Sequence, residues 1–250
     1  GSGVSEQFRG RAGEMTQFTH ALSDAEVLAL TKTLPVPPDY VVAPPVFTLD
    51  ARGQITAQVE QAGDYQFQLG DGSTRELNVP SVPPARELDG AWKVSFTPGW
   101  GAPEQVTFDH LTDWTQRPED GIRHYSGHAT YRKTFELPAS ALANPASRLI
   151  LDLGEAHDLA TVRVNGKTFT PLWLAPWRVD ITSALQPGEN QLEIEVVNVW
   201  NNRLAGDAAL PPEQRRTTLL VETVAKDAPL MPAGLIGPVT LLTTTTAEIK

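Results

Sequence analysis

The sequence predicts an antiparallel all-β protein, a sandwich or a barrel, on three observations. Short runs alternate apolar and polar residues, the period of a half-buried strand. Turn residues separate the runs, with 21 Pro and 19 Gly in no regular spacing. Hardly a helical period falls between them, so less than about a tenth of the main domain is expected to be helical. Strand and helix units do not alternate, so no (β/α) barrel is expected within this chain.

Three zones follow one another. Residues 1–45 are expected to hold a tag, a short helix and a proline-rich linker, opening on Gly1-Ser2-Gly3, which reads as a cloning remnant with no signal peptide after it. Ser23 stands three residues before Glu26, the spacing of a capping box, and Val27, Leu28 and Leu30 give the helix Asp24–Lys32 apolar surface. Pro35, Pro37, Pro38, Pro44 and Pro45 then break regular structure.

Residues 46–82 are expected to form a small β unit. Val46-Phe47-Thr48-Leu49 leads through Ala51-Arg52-Gly53 to Ile55–Val59. Tyr65, Phe67 and Leu69 alternate with Gln66 and Gln68, and Gly70-Asp71-Gly72 turns the chain towards Leu77 and Val79. So short a unit buries little alone and is expected to pack on a neighbour. The stretch Pro80 to Pro84 marks the boundary.

Residues 86–245 are expected to be the main domain. Trp92, Val94 and Phe96 alternate, as do Ala129, Tyr131 and Phe135 with a small irregularity. Leu149–Leu153 is an apolar run, and Thr161–Val164 enters Asn165-Gly166, a strong two-residue hairpin turn. Val179 and Ile181 come next, then Leu192, Ile194 and Val196 after a Pro-Gly turn. Thr217–Val224 and Val239–Thr244 are the last expected strands.

The chain of 250 residues, 40% hydrophobic and 20% charged, reads as globular. Its net charge of −10 has no clustered Lys and Arg to offset it, which argues against nucleic-acid and anionic-membrane partners. No apolar run reaches the roughly 18 residues of a membrane span. With no Cys, disulfides and thiolate metal sites are excluded. His110, His124, His128 and His157 lack metal-ligand spacing; on a strand, His124 and His128 would stand roughly 13 Å apart. No phosphate-binding glycine loop and no nucleophile motif is present.

Several segments in order resemble the sugar-binding jelly-roll domain of family 2 glycoside hydrolases. They are Leu88-Asp89-Gly90-Ala91-Trp92, Tyr125 to Phe135, Leu151-Asp152-Leu153-Gly154 and Val162-Arg163-Val164-Asn165-Gly166. Leu111-Thr112-Asp113-Trp114-Thr115, Val197 to Asp207 and Pro232 to Val239 are more similar to the C-terminal part of family 106 glycoside hydrolases, the α-L-rhamnosidases. Ala205 and Ala233 depart mildly from that pattern, where a larger aliphatic residue and a Ser are expected. The resemblance implies an antiparallel jelly-roll β-sandwich of the galactose-binding-like kind over residues 86–245. It also implies a parent catalytic domain outside this chain. A chain without Cys suits the cytosol or a bacterial envelope protein alike, and a bacterial periplasmic or secreted setting is the expectation. Hydrolysis of a glycosidic bond needs two carboxylates flanking it, and the thirty acids here are scattered. No catalytic residue is therefore assigned. The expected role is a carbohydrate-binding module, with polysaccharide or oligosaccharide as partner; the alternative is an accessory domain that props the catalytic barrel without touching sugar. The fold also implies an optional structural calcium, for which Asp152, Asp158 or Asp180 are candidates, and no other cofactor.

Sugars are held by aromatic faces and by planar polar groups that share hydroxyls. Trp100, Trp114, Trp173 and Trp177 lie near turns, and Trp173, Trp177 and Arg178 share a proline-rich segment too rigid for a central strand. Trp200-Asn201-Asn202-Arg203 with Asp207 is the densest polar group, read as a loop. It suits either vicinal hydroxyls or a structural knot in which Arg203 pairs with Asp207. Arg215 and Arg216 would make a basic patch for an acidic sugar if their loop met Arg117 and Arg123. The candidate sugar-binding residues are thus Trp114, Trp173, Trp177, Arg178, Asn201, Asn202, Arg203, Arg215 and Arg216.

Overall fold

A computed structural model describes residues 46–49, 54–68, 72–219 and 224–249. The expected helix Asp24–Lys32, the proline-rich linker, the Ala51-Arg52-Gly53 turn, Leu69 to Asp71 and the stretch 220–223 lie outside the described residues. Sixteen strands are described. In order they are β1 (Val46–Leu49), β2 (Ile55–Val59), β3 (Gly63–Gln68), β4 (Thr74–Val79), β5 (Arg86–Glu87), β6 (Trp92–Phe96), β7 (Gln105–Phe108) and β8 (His128–Leu137). They continue as β9 (Ser147–Asp152), β10 (Glu155–His157), β11 (Leu159–Val164), β12 (Lys167–Thr168), β13 (Arg178–Asp180), β14 (Gly188–Val197), β15 (Gly234–Gly237) and β16 (Thr240–Glu248). Two helices interrupt them, α1 (Asp120–Arg123) and α2 (Asn201–Ala208).

The fold is an antiparallel sandwich, because the alternating strands have one apolar face each and bury it only against another sheet. One sheet runs β12-β11-β14-β8-β6-β7; the other runs β1-β2-β16-β9-β13, with β5 also on β16. Between them lie Trp92, Val94, Phe96, Tyr131, Leu151 and Ile194, all nearly solvent-free. Alternation explains the selection: in β14, Leu192, Ile194 and Val196 face in while Gln191, Glu193 and Glu195 face out. The irregularity in β8 is Lys133, which stands where the period calls for an apolar residue. Its stem crosses the Trp92 ring, with Nζ 5.0 Å from the centroid and bonded to Ala91 O at 3.0 Å. Burial pulls its pKa down, with Asp89 opposing.

The Asn165-Gly166 hairpin is present, both residues at positive φ (49° and 84°), as a two-residue turn with right-handed strand twist demands. Strands β3 and β4 form a two-stranded sheet of their own, while β1 and β2 belong to the second sheet of the sandwich. Strand β2 pairs with β16 from Thr56↔Glu248 to Val59↔Thr245, so it extends the sandwich. Ala57, Val59, Leu77 and Val79 nevertheless bury themselves in a cluster apart from the main core. The main domain is little helical, as expected: its two α-helices hold 4 and 8 residues, and short 3-10 turns bring the helical share of the described residues to 13%. One expectation is corrected. Thr217–Leu219 are not in a strand, since Asp207 takes the Thr217 backbone and hydroxyl for itself.

Tyr131 ties the core together chemically. Its buried hydroxyl accepts from Trp114 Nε1 at 2.5 Å and from Leu235 N at 3.2 Å, and burial pushes its phenol well above the usual range. Tyr131→Phe leaves both donors unpaired. At about 1–3 kcal/mol for a buried group left without a partner, the expected loss is at least one such step, read from urea unfolding. An unchanged midpoint would contradict the network.

Candidate functional site

The register of the larger sheet gathers several loops at one end. His128, Val197 and Leu159 are cross-strand neighbours there, and Leu172 bridges to Ala160 just beyond. That end therefore carries the loop after β6 (Thr97 to Glu104), the segment before β8, the His157–Asp158 turn, Trp173 and the described residues of 198–219 and 224–233.

Polar side chains lock these segments together, because a loop leaving a sheet must satisfy its own backbone. Asn198 accepts from Gly127 N (2.9 Å) and donates to Tyr125 O (2.9 Å). Ser126 Oγ donates to Val199 O (2.8 Å), and Asp158 accepts from Val199 N (3.0 Å). Next comes α2, where a loop was expected. Asn, Gly and Asp are poor helix formers, and contacts outside the helix supply what propensity does not. Asn202, buried, clamps Met231 from both sides: Nδ2 donates to its O (2.7 Å) and Oδ1 accepts from its N (2.8 Å). One turn apart on the helix, Arg203 and Asp207 form an ion pair at 2.9 Å with both side chains nearly fully buried.

Asp207 is the hub of this end. Its Oδ1 faces Arg203, close but not aligned as a hydrogen bond, and Arg203 Nε has no acceptor among the described residues. Its Oδ2 accepts from Arg216 N (3.0 Å), Thr217 N (2.7 Å) and Thr217 Oγ1 (2.7 Å). Burial lowers the Arg203 pKa, Asp207 raises it in part, and the Arg216 charge adds to the lowering. Arg216 also donates through Nη1 to Gly99 O. Gly101 (φ 101°) fits between the two guanidiniums: a Cβ there would stand 3.2 Å from Arg216 Nε and 3.3 Å from Arg203 Nη1.

Above the hub sit two indoles. Trp100 and Trp200 meet edge to face, centroids 5.4 Å apart and planes at 62°. Trp200 is 51% exposed on the residue that caps α2, and Trp100 lies partly buried against the core. Neither was among the nine candidates. Trp100 inside Pro98-Gly99-Trp100-Gly101 and Trp200 at the end of β14 carried the available signal, an aromatic at a turn.

The structure separates the nine expected residues. Trp114 is fully buried, edge-on to Phe96 and Tyr125, and has no face for a ligand; the expected sugar contact there is corrected to a core role. Asn202 and Arg203 are likewise taken up by internal partners. Asn201 reaches Pro229 O at 3.3 Å and Arg215 reaches Leu210 O at 3.0 Å, both half-buried. Arg178 is a strut: it bonds Asp152 and Glu60, each at 2.7 Å, tying the end of β2 to β9. Trp177 packs partly buried against the core, while Trp173 is 74% exposed and Leu174 58%. Arg216 is exposed. The patch expected from Arg117 and Arg123 does not form, because acids of their own loop hold them. Arg117 forks onto Glu119 (2.7 and 3.1 Å), whose pKa that bond lowers, and Arg123 lies 3.3 Å from Asp120. His124 sits at the C-terminal cap of α1, not on a strand.

For calcium, Asp152, Asp158 and Asp180 do not converge: Asp152 faces Arg178, Asp158 caps Val199 N, and Asp180 accepts from Thr182 N and Oγ1. Among the described residues no group of three or more His, Cys, Asp or Glu is placed to hold a metal ion.

Residues 115–227, which span most of this loop end and several strands of the sandwich, match the family model described as glycosyl hydrolase 2 galactose-binding domain-like. The fold is galactose-binding-like. Over 200 residues the chain is 34% identical to a Formosa agariphila protein named "Putative beta-glucuronidase", covering 71% of this chain and 17% of that one. The rhamnosidase from Novosphingobium sp. PP1Y superimposes at a TM-score of 0.61 and 28% identity, over 88% of this chain and 26% of its own. A Ruminococcus gnavus β-glucuronidase is 22% identical over 65% of this chain and 29% of its own, at a TM-score of 0.46. The chain thus spans between 17% and 29% of the length of these relatives.

Proposed function

We propose that this galactose-binding-like domain is a non-catalytic carbohydrate-binding module of a rhamnosidase-like, family 106 glycoside hydrolase, working in the bacterial periplasm or outside the cell. Its ligand is a rhamnose-containing or acidic polysaccharide. The observation that carries the reading is the half-exposed Trp200, braced edge to face by the partly buried Trp100, at an end whose segments Asn198, Asn202 and Asp207 tie together. A fixed indole face takes the C–H side of a sugar ring without paying the entropy of ordering a loop. The names of the relatives, a glucuronidase and a rhamnosidase, support a carbohydrate setting. The glycosidic chemistry belongs to a catalytic domain outside this chain.

The test is affinity electrophoresis in gels containing a rhamnose-rich polysaccharide. Trp200→Ala should weaken retention about tenfold, the loss of a single aromatic stacking contact. The melting temperature should move by no more than a few degrees, because Trp200 is half-exposed. Unchanged retention would sink the reading.

A second reading has its own observation. Trp173 and Leu174, exposed side by side on a proline-flanked segment, suit a face that docks on the parent's catalytic barrel. If that reading holds, Trp173→Ala leaves sugar retention intact and loosens the parent assembly.

A further inference from the structure

We propose that the loop end selects acidic sugars, seating a ligand carboxylate on the Arg216 guanidinium beside the Trp100–Trp200 pair. This rests on the carbohydrate-binding reading above and narrows its ligand.

The charge count at the hub is the reason. Two guanidiniums, Arg203 and Arg216, flank Gly101, and Asp207 is the acid paired with the first of them. That carboxylate is fully used: Oδ1 faces Arg203, and Oδ2 already accepts three donors, none of them the Arg216 guanidinium. Among the described residues no carboxylate pairs with the Arg216 side chain. Its bond from Nη1 to Gly99 O and the contact of its Nε side with Gly101 fix the direction of the fork, and the residue as a whole is exposed. A planar, pre-oriented guanidinium binds a carboxylate through two parallel bonds, a geometry that a neutral hydroxyl pair does not reproduce.

The buried neighbour strengthens the site. Arg203 is 5% exposed, its Nε lacks an acceptor among the described residues, and its charge repels that of Arg216. A second anion at Arg216 relieves that repulsion. Three other arginines of this end are engaged elsewhere: Arg117 and Arg123 are held by Glu119 and Asp120, and Arg215 donates to Leu210 O. The protein carries a net charge of −10, so long-range attraction for an acidic glycan is absent. Selection must therefore be local, and it must weaken with salt.

The experiment uses the whole chain in affinity gels with a glucuronate-bearing, rhamnose-rich polysaccharide, and with the same polysaccharide after its carboxyl groups are reduced to alcohols. The acid form should be bound about tenfold more tightly than the reduced form, as expected for one charge-assisted bidentate contact. Arg216→Gln should remove that preference and leave binding of the reduced form within about twofold, with an unchanged melt. Added salt should weaken only the acid form. Equal binding of both forms by the native chain overturns the inference while sparing the carbohydrate-binding reading. Binding of neither form overturns both.

Discussion

Replacing Arg203 with alanine is expected to lower the unfolding free energy by about 3–5 kcal/mol, the usual cost of removing one partner from a buried ion pair. The guanidinium and the Asp207 carboxylate are both nearly inaccessible to water, 6% and 3% exposed, at 2.9 Å. Without Arg203 the carboxylate stays behind in the same dry setting, facing a cavity on its Oδ1 side. It also holds Arg216 and Thr217 through Oδ2, so the segment after α2 loses its anchor as well. Arg203→Lys should recover only part of the loss, since an ammonium on a flexible stem reaches Asp207 but does not fill the planar space beside Gly101. In a thermal melt the alanine variant should fall by roughly 10 °C, given about 2–4 °C per kcal/mol for a chain of this size. An unchanged melt would show that the pair carries no stability, and that Arg203 is free for a ligand.

The second large effect is expected at Trp114. Removing a fully buried indole costs about 3–5 kcal/mol in lost burial and cavity. Trp114 is surrounded on every side described. Phe96 and Tyr125 pack against its ring at 5.5 Å, Tyr131 accepts its N–H, and Gly234 lies so close that a Cβ would come within 2.3 Å of Nε1. Its backbone N also bonds Ala233 O at 3.0 Å, which pins the return segment that enters β15. Trp114→Ala should therefore lower the urea midpoint sharply. Trp114→Phe should cost less, since most of the volume remains and the hydrogen bond to Tyr131 is what goes. If Trp114→Ala instead kept its stability and lost sugar retention, the core assignment would be wrong.

The strands were legible because burial imposes a period of two, and β6, β11 and β14 carry it without exception. The Asn165-Gly166 turn was legible because few residue pairs tolerate two positive φ values in succession. What was not legible depends on contacts distant in sequence. Helix α2 has no helical pattern of its own; Asn202, Arg203 and Asp207 hold it by reaching Met231, Gly101 and Thr217. The same contacts keep Thr217 to Leu219 out of the strand expected there. The addition of β2 to β16 was hidden because an edge pairing leaves no mark on either strand's alternation. For the site, the Arg203–Asp207 knot could be read from a spacing of four and opposite charge. The Trp100–Trp200 pair could not, because the two indoles lie a hundred residues apart and only the closure of the sheet brings them together. The exposed Trp173 and half-buried Trp177 looked alike in sequence; what separates them is which side of one short segment faces the core.

The most direct test of a carbohydrate-binding role is a glycan array probed with the whole chain and with its Trp200→Ala variant. The native chain should bind a narrow set of rhamnose-containing glycans that carry uronic acid, and the variant should lose those signals while melting at nearly the same temperature. An array on which the native chain binds no glycan, or on which both proteins give the same pattern, would contradict the account.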